Sequence, residues 1–574
     1  MKRSRILVCT TLLVLYFCFI IFKLADIQLF SPDAYGPEKV NLLKKSVEQR
    51  ITEIELSSGR GVLLDRFNKP LGTSKVEDIV LFPFLATMDL PPTVSLMLNQ
   101  LAPMWQQQLK TIKKPIFLSQ LLDKQISEDM VEQVKNADIP GMIAVRRDGT
   151  KDPTIAEHLI GLVRDNPKEY DKRYGDVEKS DRSIGISGIQ KAFDSFLQAK
   201  QQEKLMYSVD AIGNPLLGLD LRYVGSENDY YPLKLSTTID SDIQQMIETT
   251  VDSYGMKKGG VVLLDVRTNE LVSLLSRPKM DTEQPFATDT VRNQMLTAHF
   301  PGSVFKTVIA AAAIENDEAT VNNTYDCDLN VYGDGASDRK LGELNFIESF
   351  AKSCNYTFAT IGKKLVGENN TIIETYADKL GLLGPVGWVG NIFHLNNFKQ
   401  FPEEENGKIW GDVYDRSVQR AIAQTAIGQK EVKVTPLAVA NMISTIVNNG
   451  VKREIRVVDK ILYNNGTVMK QFPDHYQKEN QLEKETAVKL KKMLTEVVEN
   501  GTGSYLKQLS VAGKSGTAQI GKENRYNHWF AGFFPVENPR YVMVVVDLDQ
   551  TNDQAKTYPI YQAIVKQLTS EGSP

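Results

Sequence analysis

A hydroxyl and an amine three residues apart at the head of an apolar helix can act as nucleophile and base. One stretch of the chain has that form: Pro301-Gly302-Ser303-Val304-Phe305-Lys306-Thr307-Val308-Ile309-Ala310-Ala311-Ala312-Ala313-Ile314. Pro-Gly is a breaker, and the run after it is apolar nearly all round, which predicts a buried helix. Ser303 and Lys306 fall on one face of it. A lysine held there is costly to charge, so its pKa falls toward neutrality, as a base for a weakly acidic hydroxyl requires. A serine at a helix start also lies beside free backbone N–H groups that can stabilise an oxyanion. Spacing alone proves little, because Ser-x-x-Lys occurs five times, at Ser276, Ser303, Ser337, Ser349 and Ser504. Pro278 interrupts the first, and Ser337-Asp338-Arg339-Lys340 lies in a polar stretch with no apolar surround. Context singles out Ser303; the bland alternative is a buried serine with a lysine snorkelling outward.

Two more short patterns follow in order, Ser353-Cys354-Asn355 and, in a β-rich run, Lys514-Ser515-Gly516-Thr517. Lys-Ser-Gly occurs once, and the other Ser-x-Asn, Ser226-Glu227-Asn228, lies upstream of Ser303. Ser-x-x-Lys, Ser-x-Asn and Lys-[Ser/Thr]-Gly in this order resemble the signature of the penicillin-recognising acyl-serine transferases. Arg60-Gly61-Val62-Leu63-Leu64-Asp65-Arg66, Gly185-Ile186-Ser187-Gly188-Ile189-Gln190-Lys191-Ala192-Phe193-Asp194, Gln424-Thr425-Ala426-Ile427-Gly428-Gln429 and Trp529-Phe530-Ala531-Gly532-Phe533 look like segments of the class B penicillin-binding proteins. The nearest likeness is to the PbpI type of spore-forming Gram-positive bacteria. One departure is Lys430, where many members carry Gly. The bifunctional class needs Glu-Asp-x-x-Phe-x-x-His for its glycosyltransferase, and Glu77-Asp78-Ile79-Val80-Leu81 lacks the Phe, so glycan polymerisation is not expected.

The resemblance implies an α+β chain: an N-terminal transmembrane helix, an elongated mixed α/β pedestal of the dimerisation type, then a penicillin-binding, β-lactamase-like transpeptidase domain with a five-stranded antiparallel sheet flanked by helices. It implies that Ser303 attacks the penultimate D-Ala carbonyl of a D-Ala-D-Ala stem peptide, that Lys306 accepts its proton, and that Ser353 relays it to the leaving amine. Asn355 is then expected to bind the peptide amide, Lys514 to supply positive charge, and Ser515 and Thr517, around Gly516, to hold the terminal carboxylate. Peptidoglycan stem peptides and β-lactam antibiotics are the expected ligands, and a glycan polymerase or morphogenetic protein is a candidate partner through residues 26–232. Cell-wall biogenesis, sporulation and antibiotic resistance are the processes implied. No cofactor is expected.

The rest of the sequence sets the frame. The chain has 574 residues, room for about three or four compact units. Its 67 Lys plus Arg against 71 Asp plus Glu leave a net charge of -4, which excludes a global basic field for nucleic acid. Four cysteines cannot be a disulfide scaffold, and Cys9 and Cys18 lie in one apolar run. For Cys327 and Cys354 two unpaired thiols are favoured over a bridge, with Cys354 a small filler. Five scattered histidines show no metal-ligand spacing, so no metal site is expected. Ile6 to Phe22 is an uncharged run of 17 residues preceded by Lys2, Arg3 and Arg5. That predicts an uncleaved anchor over residues 6–25 with residues 1–5 in the cytoplasm. Everything after it is then extracytoplasmic, away from ATP and NAD(P)H.

Along the chain, residues 38–50 suggest a polar helix, Gly59 to Leu71 a strand, turn and strand, and Pro115 to Asn136 and Ile189 to Ala199 helical periodicity. Residues 166–184 and 222–230 suggest loops, the second a boundary between a 26–232 pedestal and a 233–574 catalytic domain. Gly259 to Asp265 and Glu270 to Ser276 predict a hairpin. Val511 to Ile520, His528 to Val536 and Tyr541 to Asp549 predict three more strands before a closing helix near Asp553 to Leu568. Two other functions are weighed: a catalytically dispensable scaffold of a wall-building complex, and a β-lactamase-like hydrolase. The deacylation motif Glu-x-x-Leu-Asn of one lactamase class is missing, and retention of all three motifs argues against an idle scaffold. The upstream Arg60, Asp65 and Arg66 are expected to knit the pedestal rather than touch substrate.

Overall fold

The computed structural model describes residues 2–30, 41, 45, 50–72, 75–123, 126–149, 153–175, 182–198, 202–210, 215–216, 221–225, 228, 230–318, 323–477, 479–521, 524–551 and 555–570. Helix α1 (Lys2–Ala25) carries the apolar run. The span Ser4–Phe30, with a mean hydropathy of 2.4, is long and apolar enough to cross a membrane. The polar helix expected over residues 38–50 falls almost wholly outside the described residues.

The chain forms two compact units that interleave in sequence. One comprises Met1–Gly59, Lys75–Gly149 and Ala199–Asn228; the other comprises Arg60–Ser74, Thr150–Gln198 and Asp229–Pro574. In the first, strand Lys75–Leu81 pairs antiparallel with Ile116–Phe117 and Met142–Asp148. The helices Pro92–Leu101, Trp105–Thr111 and Glu128–Ala137 contribute Leu98, Trp105, Leu109, Val131 and Val134 to a core with Ile79 and Leu81. The periodicity expected over Pro115 to Asn136 is thus divided into a short strand and two helices, Leu118–Leu122 and Glu128–Ala137. Asp78, fully buried beneath this sheet, accepts from Arg147 Nε at 2.6 Å and Ser119 N at 3.2 Å. Those partners are what make a buried carboxylate tolerable.

In the second unit, strand Val62–Leu64 runs parallel to Lys234–Thr237. Arg60 bonds Gln190 Oε1 at 2.9 Å and Asp194 at 2.7 Å, while Asp194 also accepts from Gly185 N and Tyr174 Oη. Residues 166–184, expected to be a loop, contain helix Pro167–Tyr174. Its sequence is polar, so it gives no periodic signal. The start is instead set by Asn166, which accepts from Glu169 N, and by a proline at the first helical position.

The catalytic sheet follows the predicted chain order. After α2 (Ser241–Ser253) come β1 (Gly259–Asp265) and β2 (Leu271–Arg277), joined by a turn in which Asp265 Oδ1 accepts from Arg267 N at 2.8 Å. Helices α3 (Lys306–Glu315), α4 (Asn355–Glu368), α5 (Pro436–Val447) and α6 (Lys484–Asn500) intervene. The chain then forms β3 (Ala512–Ile520), β4 (Arg525–Phe534), β5 (Tyr541–Gln550) and α7 (Thr557–Ser570). The spatial order is β2-β1-β5-β4-β3, antiparallel throughout.

Alternation along each strand divides the side chains between two cores. Val542, Val544 and Val546 join the helices α3 to α6, whereas Tyr541, Met543 and Val545 join Ile247 of α2 and Ile560, Tyr561 and Ile564 of α7. Both faces are covered, so the inner strands β1 and β5 are almost continuously apolar. Replacing Arg60 by Met removes the nearer of two guanidinium groups paired with the 3%-exposed Asp194 carboxylate, the other being Arg173 at 3.6 Å. The remaining donors soften the loss, and the expected cost is up to about 3 kcal/mol, seen as a lower melting temperature of the full chain.

Candidate active site

Ser303 sits in a single 3₁₀ turn, Gly302–Phe305, that opens α3. In such a turn residues three apart eclipse one another, which stacks Lys306 under Ser303. Lys306 is 0% exposed. Its Nζ donates to the Ser353 carbonyl at 2.9 Å and to Asn355 Oδ1 at 2.7 Å, and lies 3.1 Å from Ser353 Oγ. Burial holds its pKa well below that of an ordinary lysine, and the charges of Lys514 and Arg339 push the same way. The Ser303 side chain is half-buried and lines a cavity of ≈ 280 Å³.

Ser353 occupies the corner between helix Phe346–Ala351 and α4, with φ +59°, a left-handed conformation unusual for serine. That corner lets both its carbonyl and its hydroxyl meet Lys306. Cys354, next in sequence, is bonded to Cys327, with the Cα atoms 5.8 Å apart. The expectation of two free thiols is therefore corrected. The bridge depends on a hairpin of Thr324–Asp326 with Glu343–Asn345, which returns the chain to the Ser353 corner and which short polar strands do not announce. Cys9 and Cys18 are free.

From the other side comes β3. Lys514 is buried, its Nζ donates to the Ser515 carbonyl at 3.1 Å, and burial followed by the charge of Arg339 pushes its pKa down to about 7. The Ser515 and Thr502 hydroxyls share a hydrogen bond at 2.7 Å, and Tyr558 Oη of α7 donates to the Thr502 carbonyl at 2.7 Å. The turn and the strand touch backbone to backbone. A Cβ on Gly516 would lie 2.4 Å from the Pro301 carbonyl, and one on Gly302, itself at φ +54°, 2.4 Å from the Thr517 carbonyl. Trp529 Nε1 of β4 ties the same turn down by donating to the Phe300 carbonyl at 2.9 Å. Lys430 adopts φ +62°, the conformation a glycine favours, and is held there by an ion pair with Asp415.

Six of the eight residues singled out from the sequence, Ser303, Ser353, Asn355, Ser515, Gly516 and Thr517, line the one cavity, and Lys306 and Lys514 lie behind its wall. The model of the penicillin-binding protein transpeptidase domain matches residues 259–570, more than half of the chain, and that of the penicillin-binding protein dimerisation domain matches residues 55–221. The chain is a class B penicillin-binding protein.

Among its relatives, Stage V sporulation protein D of Bacillus subtilis is 26% identical over 95% of this chain and 82% of its own length. Peptidoglycan D,D-transpeptidase FtsI of Escherichia coli K12 is 24% identical over 96% and 89%. A solved chain described under "Structural coordination of polymerization and crosslinking by a peptidoglycan synthase complex" shares the fold, with a TM-score of 0.68 at 18% identity and 98% of both chains covered. These relatives do not bear on the likeness to the PbpI type.

Among the cavity residues of this class B penicillin-binding protein that sequence reasoning did not single out are Arg339, Thr502 and Tyr558. Arg339 lies in the Ser-x-x-Lys match set aside as a polar stretch, Gly501-Thr502-Gly503 reads as a plain turn as readily as a substrate loop, and Tyr558 carries no local signal. Two outcomes follow from the geometry. Alkylation of the denatured, unreduced protein should label two cysteines and, after reduction, four, counted by intact mass. Lys514 binds its proton at about 7 when folded and at 10.5 ordinarily, so unfolding takes up a proton between those values. The burden that Lys514 places on folding is full below about pH 7 and is relieved as pH rises toward 10.5. Over that window the denaturant midpoint of wild type should rise with pH relative to that of Lys514→Met.

Proposed function

We propose that the protein is a peptidoglycan D,D-transpeptidase working through an acyl-serine intermediate, with Ser303 as the nucleophile. The observation that carries this reading is the buried Lys306 amine, bonded to Ser353 and Asn355 from another segment and three residues after Ser303 in the turn that opens α3. A neutral amine has two N–H donors and one lone pair. The Ser353 carbonyl and Asn355 Oδ1 use the donors, which leaves the lone pair for a hydroxyl.

Ser303 Oγ then attacks the carbonyl carbon of the penultimate D-Ala of a stem peptide and gives its proton to Lys306 Nζ. The backbone N–H groups of Ser303 and Thr517 receive the oxyanion. The intermediate collapses, the peptide C–N bond breaks, and Ser353 passes the proton on to the departing D-Ala amine. Asn355 holds the peptide amide, Lys514 supplies positive charge, and Ser515 and Thr517 hold the terminal carboxylate beside Gly516. An amine from a neighbouring stem peptide attacks the ester, forms the cross-link and frees Ser303. The broken peptide bond supplies the free energy, so no nucleotide is consumed. β-Lactams acylate the same hydroxyl.

Lys2, Arg3 and Arg5 before the apolar helix support a cytoplasmic N-terminus, a single membrane-spanning segment and an extracytoplasmic catalytic unit. Residues 26–232 form the extracytoplasmic pedestal and 233–574 the transpeptidase domain. A glycan polymerase or morphogenetic protein docks on the pedestal, in keeping with the synthase complex whose fold the chain shares.

Ser303→Ala should abolish the covalent β-lactam adduct with the melting temperature little changed, measured by intact-mass spectrometry and thermal unfolding. An adduct that persists on the variant removes the nucleophile assignment. Rapid release of the adduct by wild type points to a hydrolase instead.

A further inference from the structure

Beyond the charge by which it lowers the pKa of Lys306 and Lys514, Arg339 touches no group in the mechanism above, yet its setting is built rather than incidental. It is exposed, lines the cavity, and its Nη2 donates at 2.8 Å to the carbonyl of Lys352, the residue before Ser353. That contact keeps the guanidinium on the side of the cavity formed by Ser353 and Asn355. The loop that carries it is fastened at both ends. Ser337 N bonds the Asp328 carbonyl at 2.7 Å, the Asp328 carboxylate accepts from Leu341 N and Gly342 N, and Cys327 N bonds the Gly342 carbonyl at 3.0 Å. Cys327 is in turn cross-linked to Cys354, between Ser353 and Asn355.

The charges around the guanidinium are unbalanced. Among the described residues no carboxylate lies within ion-pair distance of it, and none of the residues lining the cavity is Asp or Glu. Behind the wall Lys306 is the neutral amine described above, and Lys514, with its pKa lowered to about 7, adds a partial positive charge. On the reading of Ser303 as nucleophile, the donor's terminal carboxylate goes to Ser515 and Thr517. The stretch of peptide before the scissile bond then runs along Asn355, where Arg339 waits with a planar fork of N–H donors that matches a carboxylate.

We propose that Arg339 is a specificity-determining residue that binds a second carboxylate, carried by the donor peptide on the residue preceding its D-alanyl pair. This rests on the transpeptidase reading and adds a substrate feature to it. A residue that merely propped the loop through the Lys352 carbonyl would affect every donor alike.

The test uses the full-length protein and two peptidyl-D-alanyl thioglycolate donors, which retain the terminal carboxylate. They differ only in a side-chain carboxylate or carboxamide on the residue before the D-alanyl group, and acyl-enzyme formation is timed by intact mass. A solvent-facing charged contact is screened, so wild type should react about five- to tenfold faster with the carboxylate donor at low salt, and the preference should shrink as salt is added. Arg339→Gln should erase the preference while its rate with the carboxamide donor stays within about twofold of wild type, and Arg339→Lys should retain part of it. Equal slowing of both donors in Arg339→Gln, or equal rates of both donors in wild type, overturns the inference and leaves the transpeptidase reading standing. A wild-type chain that neither donor acylates at Ser303 overturns that reading, and this inference with it.

Discussion

Two lysine amines buried in the wall of one cavity constrain the rest of the catalytic unit. An ammonium taken out of water costs several kcal/mol even after relaxation, so such a group survives only with its charge suppressed or compensated. Lys306 and Lys514 are each 0% exposed, and their own proximity lowers the Lys306 pKa further. The compensation comes largely from one short segment. Ser353 and Asn355 meet Lys306, the ring of Phe358 lies 5.6 Å from the Lys306 amine, and the ring of Phe350 lies 5.5 Å from that of Lys514. Phe350 and Phe358 pack on each other, 5.9 Å between centroids, across the Ser353 corner. The residues that carry the polar partners and those that shield the two amines thus belong to the same helix, turn and helix.

That segment can meet the cavity only if the turn at Ser303 and the edge strand close on it. β3 ends the sheet, and an edge strand ordinarily presents a liability. Here its backbone is approached by the turn at Ser303, with Gly516 and Gly302 each leaving room for the other's carbonyl neighbour. Trp529, one strand in, holds that turn to the sheet through Phe300. The sheet, clad on both faces, is rigid enough to position Lys514 and Ser515 against a helix start contributed by a remote part of the chain. The Cys327–Cys354 bridge does the same service for the loop on the opposite side.

β1, β2, β5 and the second half of β4 were legible as dense apolar runs bounded by turn residues, β3 was legible through its Lys514-Ser515-Gly516 motif, and the hairpin between β1 and β2 was announced by its Asn269 turn, which takes φ +56°. The helix at 306–315 was legible from its apolar surface. Elements without periodicity were not: Pro167–Tyr174 is polar throughout and is set by its cap. The hairpin of Thr324–Asp326 and Glu343–Asn345 has strands too short to carry an alternation.

The sequence by itself determined which side chains are fit for the chemistry: a serine and a lysine on one face at a helix start, and motifs whose order along the chain is that of a family of acyl-serine transferases. Covalent spacing and local burial suffice for that, because residues three apart on a helix are neighbours in any tertiary setting. Only the tertiary structure decided that Lys306 turns to Ser353 and Asn355, that Cys327 reaches Cys354, and that Arg339, Thr502 and Tyr558 border the same cavity. Those contacts join segments separated by tens to hundreds of residues. Their existence depends on how sheet and helices pack, a property of the whole core that no local pattern encodes.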